Sequence, residues 1–258
     1  MKMNIIKTSV ATLALVGAVF TSQATLAAGD TPSAPKQEWS FNGLFGTFDR
    51  AAAQRGFQVY QEVCASCHGM NLLSYRHLSG IGFSEAEIKA IAATVEVQDG
   101  PNDEGEMFDR PGTPADRFVS PFPNPQAAAA SNGGKAPPDL SLMTKARVDG
   151  TNYVYGLLTG YTDAPGEFEM PEDGSYNKYF PGHVISMAAP LDDEAVEYTD
   201  GTKPTLTQHA KDVTTFLAWA AEPEMEERKR MGIKVLLFLL VLTGMLYAVK
   251  RKVWEDLH

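Results

Sequence analysis

Cys64-Ala65-Ser66-Cys67-His68 sets two thiols three residues apart and follows them at once with an imidazole. On a helical turn positions i, i+3 and i+4 share one face, so both sulfurs can form thioethers to one porphyrin while His68 reaches its metal. That is the attachment pattern of a c-type haem, in which the cysteines fix the group and the histidine ligates the iron. A bare Cys-x-x-Cys also serves as a redox dithiol or as half of a zinc site. Cys64 and Cys67 are the chain's only cysteines, so there is no second pair for zinc, and no βαβ pattern surrounds them.

The iron's other axial position is open to several residues. Met1 and Met3 fall in an N-terminal leader, Met225, Met231 and Met245 in a C-terminal apolar region, and Met70 lies too near His68 to reach the opposite face. Met107, Met143, Met170 and Met187 remain, beside His77, His183 and His209, and spacing does not choose among them. Met187 has the best local setting, between Ile185 and Ala188-Ala189-Pro190, where a thioether can be held in a dry, rigid turn.

Two apolar segments bracket the residues that must position this chemistry. Lys2 and Lys7, an apolar run from Val10 to Phe20, and small residues at Thr25-Leu26-Ala27-Ala28 read as an export signal over residues 1–27. Its removal would take away two lysines and lower the formal charge of −10 further, leaving an acidic domain over residues 28–224. Met231 to Val249 is apolar except for Lys234, and a helix of that length would run about 28 Å, enough to cross a hydrocarbon core. A buried core helix is the competing reading. Lys250, Arg251 and Lys252 follow the run, whereas acids outweigh bases before it, so the positive-inside rule puts the tail of residues 253–258 in the cytoplasm and the domain on the exported side. Residues 225–252 then form the anchor and its flanks. The leader lacks an Arg-rich amphipathic presequence, which points to the periplasmic side of a bacterial inner membrane.

The domain between them reads as mainly α. Asp49 can cap a helix whose stripe of Ala53, Phe57, Tyr60, Cys64 and Cys67 runs into the haem thiols. A second helix starts at a Thr205–Gln208 capping box, carries Val213, Phe216, Leu217 and Ala220 on one face, and stops at Pro223. The first helix is a good partner for that face. Ser84 with Glu87 opens a short helix, and Thr151 to Thr159 is another. Seven prolines from Pro111 to Pro138 predict an extended loop with little regular structure, either wrapped on a ligand or solvated.

Several blocks in fixed order resemble the cytochrome c1 family, the membrane-anchored haem subunits of bc1 complexes. They are the pentapeptide with Ser74-Tyr75-Arg76-His77-Leu78, Pro137-Pro138-Asp139-Leu140-Ser141, Tyr153 to Tyr161 (YVYGLLTGY), Tyr179-Phe180-Pro181-Gly182 before Met187, and Ala220-Ala221-Glu222-Pro223-Glu224 leading into Arg228-Lys229-Arg230-Met231-Gly232. The resemblance spans residues 39 to 254. It implies a class I cytochrome c fold with long loop insertions and one C-terminal transmembrane helix, and one covalently bound haem c. It also implies Met187 as sixth iron ligand, Arg147 and Tyr153 near a haem propionate, and Asn132, Pro137 and Pro138 in the loop over the haem edge. Some bacterial relatives bridge a loop with an extra cysteine pair, which this chain lacks.

A His/Met iron has no open position for substrate, so the expected chemistry is one-electron exchange rather than catalysis by the chain itself. The resemblance implies electrons arriving from a Rieske iron-sulfur subunit and leaving to a soluble or tethered cytochrome c. It further implies cytochrome b as a neighbour and a dimeric assembly in a respiratory or photosynthetic chain. Val95 to Arg110 holds six acids and one base, and Thr162 to Asp200 ten acids and one base. Such clusters either steer a basic partner or simply keep the domain soluble. A di-haem peroxidase would need a second Cys-x-x-Cys-His, which is absent. A c-type subunit of a terminal oxidase is the closer alternative.

Overall fold

The computed structural model describes residues 32–255, so the expected export signal at residues 1–27 lies outside the described residues. Asp49 starts the first helix, α1 (Arg50–Glu62), with extended backbone and a carboxylate that accepts the Ala52 N–H at 3.1 Å. Its buried face is Ala52, Ala53, Gly56, Phe57, Val59 and Tyr60. The α-helix stops five residues short of Cys67, where the apolar stripe ended. Val63 still donates to the Val59 carbonyl at 3.0 Å, and Cys64–Ser66 then tightens into a 3-10 turn in which both the Cys67 and His68 N–H groups reach the Cys64 carbonyl, at 3.1 and 2.8 Å.

After a 3-10 segment at Tyr75–Ile81 come α2 (Glu85–Ala92), whose Ser84–Glu87 capping box is complete, and a hairpin of β1 (Glu96–Asp99) and β2 (Phe108–Pro111). The proline-rich stretch read as irregular contains α3 (Pro125–Ser131). Asn124 caps it through a 2.8 Å bond from the Ala127 N–H, and Pro125 occupies the first turn, where its missing N–H costs nothing. Then follow α4 (Gly150–Thr159), a two-residue antiparallel pair of β3 (Ser175–Tyr176) and β4 (Val184–Ile185), and α5 (Leu206–Ala221). The last helix is α6 (Met225–Val253).

The core forms where α1 crosses α5, with α4 packed on the same central helix. From His209 to Ala221 every residue of α5 except Lys211 is buried. Gly56 permits the close crossing: a Cβ there would overlap the Asp212 carbonyl and come within 2.8 Å of Phe216 Cβ. Beside it Arg55 forks onto the fully buried Asp212 carboxylate, Nε to Oδ2 at 2.8 Å and Nη2 to Oδ1 at 3.0 Å, and reaches Asp200 with Nη1 at 2.9 Å. Phe57, Tyr60, Phe118 and Phe216 fill the space below with ring centroids 5.5–6.0 Å apart. The Thr205–Gln208 capping box is only half made. Thr205 Oγ1 accepts the Gln208 N–H at 3.3 Å, but the Gln208 amide donates to Asp212 at 2.9 Å instead of returning to the cap.

α6 is 29 residues long, about 43 Å at the usual rise, and is the one helix among the described residues long and apolar enough to cross a membrane. Its apolar side chains, Leu236 to Leu240 among them, face outward along the span.

Candidate functional site

The pentapeptide sits at the end of α1, where the helix stripe and the tight turn carry Cys64 against the core while Cys67 and His68 are half-buried. Burial pushes the Cys64 thiol up to about 12, with Cys67 adding to the effect. The attacking cysteine of a redox dithiol is shifted the other way. Among the described residues no group of three or more His, Cys, Asp or Glu side chains gathers in metal-binding geometry.

His68 is held by one decisive contact. Its Nδ1 lies 2.7 Å from the Pro138 carbonyl oxygen, which can only accept, so Nδ1 carries the proton and donates. In the neutral imidazole this tautomer leaves the Nε2 lone pair free, as a metal-ligating histidine requires, and the ring orientation is fixed from behind. The Pro137–Ser141 segment is in turn stitched onto the residues after His68. The Leu140 N–H donates to the Gly69 carbonyl at 2.9 Å. Asp139 accepts from the Asn71 and Ser141 N–H groups at 2.7 and 2.8 Å, and Ser141 Oγ accepts from the Leu72 N–H at 3.0 Å. Tyr60, from the buried face of α1, donates to the His68 carbonyl at 3.3 Å.

A second group of side chains gathers around Met187, which is half-buried after β4. The Tyr161 hydroxyl donates to the Met187 carbonyl at 3.1 Å. Burial raises Tyr161 well above the ordinary phenol range, and the neighbouring Tyr153 adds to this. Tyr153, on α4, is also raised by burial, against the opposing pull of the Arg147 guanidinium at its hydroxyl. Arg147 is itself exposed. Arg147, Tyr153, Tyr161 and Met187 thus form one neighbourhood, organised by α4 and the turn that follows it.

The loop after α3 connects the two groups. Asn132 donates from its amide to the Ala128 carbonyl at 2.7 Å and closes the helix end. Gly133 and Gly134, at φ 60° and 84°, turn the chain back in a conformation that favours glycine. Lys135 Nζ then reaches Ser186 Oγ, adjacent to Met187, at 2.6 Å, and three residues later Pro138 holds His68. One short loop therefore touches both the histidine side and the methionine side.

The other residues open to axial ligation stand in different settings. His77 accepts the Ser74 N–H on Nδ1 at 3.0 Å, His183 stacks on Tyr176 at 5.4 Å, and His209 is fully buried with Nδ1 3.0 Å from the Tyr198 hydroxyl. Met107 is exposed on the hairpin and Met143 packs on the core. Met170 lines an open recess of about 540 Å³ with Tyr161 and Ala189, on the flank of the Met187 segment. Sequence reasoning gave no site role to Lys135, Tyr161 or Ser186, and named Tyr60 only within the helix stripe. Tyr161 lay within the YVYGLLTGY block, whereas nothing local marked Lys135 or Ser186.

The acidic segment of residues 95–110 is the β1–β2 hairpin. At its base Arg110 pairs with Asp99 and, at 2.7 Å, with Asp116, and these contacts hold both carboxyls below the usual carboxylate range. At its tip Asn102 Oδ1 accepts the Glu104 and Glu106 N–H groups at 3.0 and 2.9 Å, and Asp103, Glu104 and Glu106 are exposed.

Comparison with known proteins matches residues 39–257 to the family described as the Cytochrome C1 family. The chain is 54% identical to cytochrome c1 of Rhodospirillum rubrum over 237 residues, covering 86% of this chain and 87% of that one. It is 53% identical to a mitochondrial cytochrome c1 heme protein of Arabidopsis thaliana, covering 95% and 82%. It is 50% identical to a cytochrome b/c1 of Bradyrhizobium diazoefficiens, covering 87% of this chain and 36% of that longer polypeptide.

Proposed function

The chain belongs to the cytochrome c1 family, the haem subunits of bc1 complexes, and from that premise we propose that it takes electrons from a Rieske iron-sulfur protein and passes them to a soluble or tethered cytochrome c. The observation that carries the reading is the 2.7 Å contact of His68 Nδ1 with the Pro138 carbonyl, which leaves Nε2 free to ligate. One covalently bound haem c supplies reversible one-electron chemistry at its iron.

The chain's own residues do the rest. Cys64 and Cys67 anchor the group through thioethers, and His68 presents Nε2 to the iron. Met187, its backbone tied by Tyr161, would be the second residue to hold the iron. Arg147 and Tyr153 form a polar pair for a propionate, a charged donor beside a phenol. The loop of Asn132, Pro137 and Pro138 would lie over the edge of the bound group. The exposed acids at the hairpin tip attract a basic partner.

Cytochrome b as a partner is supported by the relative named cytochrome b/c1, a single polypeptide. The chain has a single-pass membrane anchor, α6. We place its haem domain on the periplasmic side of a bacterial inner membrane and its C-terminus in the cytoplasm. Before the span Lys229 is bound by carbonyls and Arg228 pairs with Glu222 at 2.6 Å, whereas Lys250 and Arg251 after it are exposed, which strengthens the charge asymmetry. Purification of the tagged chain from native membranes tests the assignment. Cytochrome b and a Rieske protein should co-purify in a ubiquinol-oxidising dimer, whereas recovery with an oxidase core would overturn it.

A further inference from the structure

Residues 39–48 form a loop folded beneath the haem domain, against the first turns of α6. Trp39, Phe41 and Phe48 are buried and stack in series, with centroids 5.6 and 5.0 Å apart. Lys229 Nζ donates to the Phe41 and Gly46 carbonyls at 2.7 and 3.1 Å. Glu226 accepts the Phe48 N–H at 2.8 Å and pairs with Arg50 at 2.9 Å. Both ends of the loop are thereby pinned to α6 immediately before its apolar span. Gly46 keeps the turn tight, since a Cβ there would overlap the Asn42 carbonyl.

Between the pinned ends, Leu44 and Phe45 project outward, 56% and 80% exposed, although every other large apolar side chain of the loop is buried. They line one recess of about 150 Å³ together with Arg230 and Ile233. They therefore reach the level of the helix surface that itself needs lipid, and a guanidinium 73% exposed stands beside them. Reading α6 as a membrane span, we propose that the Leu44–Phe45 tip is a second membrane contact, inserted into the lipid interface of the leaflet where α6 begins, with Arg230 level with the phosphates. The continuity of the tip with the span, and the positive charge at its edge, fit a phospholipid surface. A loop rigidly bonded to the anchor then fixes the depth and tilt of the domain above the bilayer.

Site-directed spin labelling of the full-length, haem-loaded chain tests this, because thioether formation consumes Cys64 and Cys67 and leaves any introduced cysteine as the single reactive thiol. Phe45→Cys, Leu239→Cys in the span and Glu85→Cys on the exposed face of α2 are each labelled and reconstituted in phosphatidylcholine–phosphatidylglycerol vesicles. The label at position 45 should be relaxed by oxygen and shielded from a water-soluble nickel chelate, approaching the label at 239 and unlike that at 85. Nickel access at 45 equal to that at 85, with 239 shielded, would overturn the proposal and leave the anchor intact. Nickel access at 239 as well would overturn the span itself, and the proposal with it. In the assembled complex in nanodiscs, shielding of position 45 from both relaxants would show a protein covering the tip and would equally overturn it.

Discussion

Tyr161→Phe removes one hydroxyl and nothing else, and that hydroxyl is the donor to the Met187 carbonyl at 3.1 Å. If Met187 ligates the iron, this bond holds the ligand segment in place from its backbone. A neutral hydrogen bond of this kind contributes about 0.5–1.5 kcal/mol, so its loss should raise the population of the state with Met187 swung away by roughly 2- to 12-fold. Imidazole competes for the vacated position, and its apparent affinity rises in proportion to the open fraction. Optical titration of the oxidised protein with imidazole should therefore show the variant saturating at a concentration lower by that factor. Tyr155→Phe is the control. Tyr155 is half-buried, packing edge-on to Trp39 at 6.2 Å, and its hydroxyl has no part in the Met187 segment. An unchanged imidazole affinity in Tyr161→Phe, or an equal change in Tyr155→Phe, would refute the reasoning.

Met187→Leu should leave the haem covalently attached, because attachment rests on Cys64 and Cys67, yet lower the reduction potential and abolish the Met-to-iron absorption band; an unchanged spectrum and potential would move the assignment to Met143 or Met170. Gly56→Ala forces a methyl group onto the Asp212 backbone, which no rotamer change can relieve. Overpacking at about 1–3 kcal/mol, offset by roughly 1 kcal/mol of helix propensity, gives a net loss of about 2 kcal/mol at most, measurable by denaturant unfolding. Neutralising Asp103, Glu104 and Glu106 together should flatten the salt dependence of electron transfer to a basic cytochrome c in stopped-flow, and parallel salt slopes would show the hairpin tip to be plain solvated surface. Asp99 is left out of that set because its ion pair with Arg110 holds the hairpin base.

The helices α1 and α5 were legible because each carries a cap and an apolar stripe at helical spacing, and both signals are local. The pentapeptide was legible for the same reason, its chemistry being written in five consecutive residues. The β1–β2 hairpin was not. Its strands show no apolar alternation and are secured by backbone pairing and by Arg110, which joins Asp99 to Asp116 across the turn. The helix α3 was missed because seven prolines outweighed a correct local cue, an Asn-Pro start of the kind that caps helices. Spacing left the choice among methionines open, and the contacts around Met187, a hydroxyl 26 residues away and a lysine 51 residues from Ser186, come together only in the folded chain.

The junction between α5 and α6 also limits how the molecule can move. Only Glu222, Pro223 and Glu224 separate the two helices, and Met225, the first residue of α6, is 6% exposed and belongs to the core of the haem domain. The anchor thus grows out of the domain without a slack linker, and the domain stands on it like a lamp on a post. It has no swing radius. A relay mounted this way keeps its electron-accepting and electron-donating faces at constant height and bearing, so its partners must do the travelling. Under the proposed relay role, loading and unloading both fall to partners that come to the domain.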